Sequence, residues 1–309
     1  MIEKTYTFNT ILKLWLISKD ELKMQSRLNY EDLINRYITL DLGVNLVDKI
    51  TKQEIDDFFL KVANISISTQ RKLFYIIKTS LIYAYDNGYC TNYLNLKNIR
   101  FRSFPQTIYI LTKEEQVSLE EWLKNKVNIR KVCLLLCLYT GLRVGEVCGL
   151  KWEDIDFKNH SLIVKRTIER IRNKDKNISS KTILIESTPK SSTSNRIIPI
   201  PSFLIIMLKQ FEGEKKYFLL SKSEKFYDPR LFESFYDRTL KSCNISHNKF
   251  HTLRHTFATR CIESKMDIKT LSEILGHSSI EITLKLYVHP SYEMKKSSIE
   301  NLVRFTANS

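Results

Sequence analysis

Apolar positions in the first ninety residues recur at helical spacing. Phe8, Ile11, Leu12, Trp15 and Leu16 fill the i, i+3, i+4, i+7, i+8 stripe of a core-facing helix. Tyr30, Leu33, Ile34 and Tyr37 form a second stripe, with Gly43 just beyond its end. Thr51 followed by Glu54 has the form of a capping box ahead of Ile55, Phe58, Phe59 and Val62. A fourth helix, about residues 68–86, carries Leu73, Ile76, Ile77 and Leu81 and closes at Asn87-Gly88. No proline occurs before Pro105, so the pattern predicts a small four-helix bundle.

The period fails from about residue 91 to 110, which predicts a linker and a division into domains 1–105 and 106–309. Thr112 with Glu115 then opens a helix containing Leu119, Trp122 and Leu123. Residues 131–139 form a strongly apolar helix that runs into Thr140-Gly141, a turn that sets Arg143 at the head of the next helix. Residues 161–167, 181–187 and 195–199 are β-branched and bounded by polar loops, so they predict strands, with Lys190 in the turn joining the last two. Residues 168–180 between them read as a loose basic loop or an extended strand end. Helices resume at 202–211 and 228–241. Ile268, Leu271, Ile274 and Leu275 mark a helix stopped by Gly276, and Ser278 with Glu281 predicts a capped short helix carrying Leu284 and Tyr287. In the tail, Ile299, Leu302, Val303 and Phe305 lie on one face of a further helix. The fold class expected is mainly α with a small antiparallel β-sheet.

Charge adds a partner to this picture. The 309 residues hold 49 Lys plus Arg against 34 Asp plus Glu, a net charge of +15 that favours a polyanion and says nothing about fold. Arg71, Lys72 and Lys78 on the fourth helix, and Lys97, Arg100 and Arg102 in the linker, are candidate phosphate contacts; an ordinary solvated face reads the same way. The six cysteines show no CxxC pair and lie mostly in apolar helical patterns, as reduced core thiols would. Cys133 and Cys137 are four apart, but the run VCLLLCL around them favours core over metal. No apolar stretch approaches 18 residues and MIEKTYTFNT has no signal-peptide core, so the expectation is a cytoplasmic protein without membrane contact.

The chemistry-bearing residues concentrate in 249–290. On a helix, His251 and Arg254 share a face and would direct one imidazole and one guanidinium at a common anion. His277 directly follows the Gly276 stop, and Tyr287 sits near the end of its own short element. Upstream, Arg143 and Glu146 are three apart, so the carboxylate would hold the guanidinium; a structural ion pair has the same spacing. Each feature has an ordinary reading: an ion-paired helix face, a helix cap, a core tyrosine, a solubilising lysine. Their joint occurrence at this spacing is what favours a site for a phosphate-like anion.

Together, HTLRHTFAT at 251–259, LGHSS at 275–279 and Tyr287, with TGLRVGE at 140–146 and Lys190 in STPKSSTSNRIIPIP at 187–201, closely resemble the signature of the tyrosine recombinase (phage integrase) family. The motifs cover about residues 112–290. The resemblance implies an N-terminal helical, SAM-like core-binding bundle and a mixed α+β catalytic domain; in length the chain departs from the larger integrases of the family, and no separate arm-binding domain is expected ahead of the bundle. It implies a site-specific recombinase on double-stranded DNA. Arg143 and Arg254 would clamp the non-bridging oxygens, His251 and His277 add donors, Tyr287 attack to form a 3′-phosphotyrosine, and Lys190 protonate the 5′ oxygen. One phosphoester replaces another, so neither ATP, metal nor other cofactor is expected, and no GxxxxGK[ST] loop occurs. A homotetramer on two duplexes is implied, with a monomer compatible in the absence of DNA, and a tail that docks on a neighbouring subunit. A type IB topoisomerase-like enzyme and a non-catalytic DNA-binding regulator are the alternative functions.

Overall fold

The computed structural model describes residues 5–22, 24–96, 108–173, 180–187, 195–287, 296 and 299, with residues 285–287 described by backbone only. The chain divides into two compact units, Met1–Gln106 and Thr107–Ser309.

The first unit is built on α1 (Phe8–Ile17), α2 (Met24–Leu33, continued by a π-helical turn over Ile34–Ile38), α3 (Lys52–Lys61) and α4 (Ile67–Asp86). Its core holds Phe8, Ile11, Leu12, Trp15, Ile55, Phe58, Leu73, Ile76 and Ile77, the stripes read from the sequence. The Thr51–Glu54 box is formed in both directions: the Glu54 N–H donates to Thr51 Oγ1 at 3.2 Å and the Thr51 N–H to Glu54 Oε2 at 2.8 Å. Ser66 caps α4, starting it one residue before the periodicity suggested. Arg71 and Lys72 are exposed on α4 and Lys78 is half-buried. Lys97, Arg100 and Arg102 lie outside the described residues.

The second unit begins with α5 (Lys113–Lys124), opened by the Thr112–Glu115 capping box, and α6 (Ile129–Thr140), which is buried along almost its whole length. After the short α7 (Val144–Cys148) come β1 (Ile155–Asp156), β2 (Ser161–Val164), β3 (Thr167–Arg172), β4 (Thr182–Ser187) and β5 (Arg196–Pro199). Helices α8 (Ser202–Lys209), α9 (Pro229–Ser242), α10 (His251–Glu263), α11 (Ile268–Leu275) and α12 (Ile280–Tyr287) complete it. Among the described residues no helix is long and apolar enough to cross a membrane.

The β region differs from its sequence reading in three ways. There are two sheets among the described residues, one with order β1-β2-β5 and one pairing β3 with β4, all antiparallel. The expected strand 161–167 breaks at Lys165-Arg166, where both side chains reach the buried Asp154, Lys165 at 3.2 Å, and Arg166 also donates to the Gly149 carbonyl at 3.2 Å. Anchoring two successive side chains to one buried carboxylate turns the chain from one sheet into the other. Of the two readings of 168–180, the extended strand end holds for its first part: β3 runs through Arg172, with Ile168 and Ile171 facing the core. Because β4 pairs with β3 and β5 with β2, the strands flanking Lys190 are not partners, and the expected hairpin between them is not formed. Lys190 itself lies outside the described residues. One further correction concerns α12, whose cap is Ser279 and not Ser278: the Glu281 N–H donates to Ser279 Oγ at 3.1 Å.

Candidate active site

The site is assembled from helix ends. Gly141 terminates α6 in the left-handed region (φ 66°), and a Cβ there would stand 2.7 Å from Phe257 Cδ1 and 2.8 Å from Leu275 Cδ2. Both backbone conformation and space therefore require glycine. Two residues later Arg143 heads α7, its N–H donating to Glu146 Oε2 at 2.9 Å and its Nη1 to Oε1 at 2.7 Å. The Arg143 side chain is 38% exposed while that of Glu146 is 4% exposed, so the carboxylate grips the guanidinium from below and leaves its outer edge toward solvent.

At the other end of the site, α11 starts on the Asp267 cap and stops in a Schellman motif. The Gly276 N–H donates to the Glu273 carbonyl at 3.0 Å and the His277 N–H to that of Ser272 at 3.1 Å, with Gly276 at φ 63°. This turn fixes where His277 leaves the helix. The last two carbonyls of α11 receive guanidinium groups instead: Arg196 Nε donates to Ile274 O at 2.6 Å and Arg254 Nη2 to Leu275 O at 2.7 Å. Cations at a helix C-terminus satisfy orphan acceptors and oppose the negative end of the dipole.

Arg254, one turn into α10, is 1% exposed and also donates from Nη1 to the Gly141 carbonyl at 2.9 Å. It forms the floor that ties the Gly141 turn to the end of α11. His251, the first residue of α10, sits at the rim, its ring edge-to-face with His255 at 4.6 Å. His277 Nδ1 lies 2.8 Å from Thr283 Oγ1, a fully buried hydroxyl on α12.

The charges decide which groups are ionised. Burial by itself would raise the Glu146 carboxyl, but hydrogen bonds and charge from Arg196, then Arg143, outweigh it and bring its pKa down to about 2. His277 is pushed down to about 4 by loss of hydration, then by the positive charges of Arg254, Arg143 and Arg196. His251 is pushed to about 4 by the same desolvation, then by His255, Arg254 and Arg143. Two neutral imidazoles thus stand in a positive field, an environment built for an anion.

Five expected residues, Arg143, Glu146, His251, Arg254 and His277, are therefore brought together. The side chain of Tyr287, which closes α12, and Lys190 lie outside the described residues. Arg196 was not among the expected residues. Its signal was present, since it occupies the inward register of β5 with Ile198, where an arginine must find a partner. Among the described residues no three His, Cys, Asp or Glu side chains are grouped as a metal site would need.

Comparison with known proteins shows the family and the fold. The phage integrase family matches residues 110–294. A tyrosine recombinase XerC-like protein of Caldanaerobacter subterraneus subsp. tengcongensis is 35% identical over 259 residues, 77% of this chain and 66% of that protein. Tyrosine recombinase XerC of Chlamydia caviae is 31% identical over 189 residues, 58% of this chain and 53% of its own length. The matches thus span between half and two thirds of these relatives. In structure, the chain is similar to the Tn1549 transposon integrase in complex with transposon right end DNA (TM-score 0.78, 22% identity, 96% of this chain and 100% of that one). It is also similar to a lambda integrase dimer bound to a COC′ core site (TM-score 0.64, 18% identity, 92% and 78%). With helical first unit, mixed second unit and arginine–histidine cluster in place, the chain belongs to the phage integrase family.

Proposed function

We propose that this chain is a site-specific DNA recombinase or integrase that cuts and rejoins double-stranded DNA through a 3′-phosphotyrosine. The observation that carries the reading is the solvent-facing Arg143 beside two neutral histidines, over a floor made positive by Arg254 and rigid by Glu146. A phosphodiester is the anion that fits, because charge builds on its non-bridging oxygens as a nucleophile attacks. Donors already fixed in place stabilise that charge without reorganisation.

In this reading the Tyr287 phenol gives its proton to solvent, Oη attacks the phosphorus, the P–O5′ bond breaks, and Lys190 Nζ gives its proton to the departing 5′ oxygen. A phenol of ordinary pKa near 10 needs the cationic cluster to ionise. His277 presents an Nε2–H donor to the phosphate when the Thr283 hydroxyl donates to Nδ1. The product holds one phosphoester in place of another, so a 5′-hydroxyl from a second strand can reverse the step and exchange strands without ATP. The first unit would serve as the core-binding domain, with Arg71, Lys72 and Lys78 on α4 and Lys97, Arg100 and Arg102 in the linker on phosphates. Four copies would act on two duplexes.

The test incubates the protein with end-labelled, nicked duplexes of randomised sequence, which lose the attacking strand after cleavage. A denaturant-resistant protein–DNA band is expected for the parent and none for Tyr287→Phe, and sequencing the captured DNA gives the site. Equal bands in both proteins would remove Tyr287 as nucleophile.

A further inference from the structure

We infer that Arg196 is a positioning residue for strand cleavage: from within the protein it sets both the Arg143 guanidinium and the Gly276–His277 turn. The inference rests on the phosphodiester reading of this site.

Arg196 opens β5, where its backbone pairs in register with Val164, and its side chain is buried. The fork lies along the Glu146 carboxylate, Nη1 to Oε1 at 3.1 Å and Nη2 to Oε2 at 3.0 Å. Each oxygen of Glu146 also accepts one bond from Arg143, Oε1 from Nη1 and Oε2 from the N–H. A carboxylate offers about four acceptor sites, so two are used by each arginine. Held by a fork on one side, the carboxylate has no rotation left, and it presents Arg143 with one fixed pair of acceptors. Without Arg196, Glu146 would turn about its last side-chain bond, and the Arg143 guanidinium would turn with it.

The same guanidinium serves the opposite side of the site. Nε donates to the Ile274 carbonyl, and a Cβ on Gly276 would meet Arg196 Cδ at 2.9 Å, Nη1 at 3.0 Å and Nε at 3.1 Å. The side chain therefore packs flat against the turn that releases His277. One buried group spans the two segments whose ends carry Arg143 and His277, and it does so with three donors in one plane. Lysine offers a single point charge and cannot fill both acceptor sets. The depressed Glu146 carboxyl, for which Arg196 is the leading charged partner, agrees with this arrangement.

The experiment compares the full-length parent with Arg196→Met, Arg196→Lys, Glu146→Gln and the Arg196→Met/Glu146→Gln pair. It measures single-turnover cleavage per folded molecule, DNA affinity by anisotropy, and the NMR signals of the Arg143 guanidinium. A misplaced clamp costs on the order of 10²-fold in rate. We expect that loss in Arg196→Met with affinity within about threefold of the parent, no recovery in Arg196→Lys, and a double variant no slower than the slower single one. Arg196→Met should also slow as pH falls toward 5, because Glu146 without its fork takes up a proton at higher pH. The restrained Arg143 guanidinium signal of the parent should become rotationally averaged in both Arg196 variants. A cleavage rate within threefold of the parent, or effects that add in the double variant, would overturn the inference. Should Arg196→Met fail to fold, a fully active Arg196→Lys overturns it equally. A parent that forms no adduct refutes the phosphodiester reading instead, and the guanidinium signal still decides whether Arg196 restrains Arg143.

Discussion

Replacing Glu146 by Gln tests the electrostatics of the site through stability. The carboxyl moves from an ordinary 4.5 to about 2 on folding, and each pKa unit is worth ~1.4 kcal/mol. Ionised Glu146 thus contributes ~3 kcal/mol at neutral pH. Glutamine keeps the volume, but its amide NH2 meets an arginine donor, and removing one partner of a buried ion pair costs ~3–5 kcal/mol. A loss in the range of ~3–5 kcal/mol at pH 7 is expected on these grounds. The sign with pH follows from the depressed carboxyl: its stabilisation is complete above 4.5 and is lost as pH falls from about 5 toward 2. Parent and variant curves should therefore converge in acid. The assay is urea unfolding at pH 7, 5, 4 and 3, followed by the fluorescence of Trp122 and Trp152 in a Trp15→Phe background. The chain has three tryptophans and Trp15 is the one in the first unit, so the signal then reports the second unit alone. A difference below ~1 kcal/mol at pH 7, or one as large at pH 3 as at pH 7, would refute the reasoning.

Three further outcomes follow from the same geometry. Arg254→Met orphans the buried Gly141 and Leu275 carbonyls, each worth ~1–3 kcal/mol, so the second unit should lose roughly 2–6 kcal/mol in the same unfolding assay. Gly276→Ala combines a left-handed alanine, ~1–2 kcal/mol, with a clash against Arg196. Gly88→Ala, at φ 70° with open space around it, should show only the backbone cost, and thermal melting of the two variants separates the effects. His251 and His277, near 4 in the free protein, should rise when a phosphate arrives; DNA binding then takes up protons and tightens as pH falls from 7 to 5. Anisotropy at constant ionic strength checks this, and His277→Asn should flatten the dependence. Without DNA the sign reverses: unfolded histidines protonate near 6.5 and folded ones near 4, so stability falls as pH drops through that window.

How far the sequence could be read depended on the distance over which each feature is decided. The Thr51–Glu54 and Thr112–Glu115 boxes and the Gly276 stop each involve bonds within one turn, and the core stripes follow from helical geometry. Those elements were legible, as was the set Arg143, Glu146, His251, Arg254 and His277, because the motif order and the helix starts place them. Sheet pairing was not: β2, β3, β4 and β5 are all β-branched, and nothing in their composition selects β4 for β3 over β4 for β5. The buried Asp154 selects it, by drawing Lys165 and Arg166 together and turning the chain between sheets. Arg196 shows the same limit at the site. By itself the sequence determined the helices, most of their ends to within a residue and the residues able to meet an anion, since those depend on bonds between near neighbours. Only the tertiary structure decided that an arginine 50 residues from its carboxylate and 78 from its carbonyl joins the two sides, because a buried charge takes its role from whatever the fold brings within hydrogen-bond reach of it.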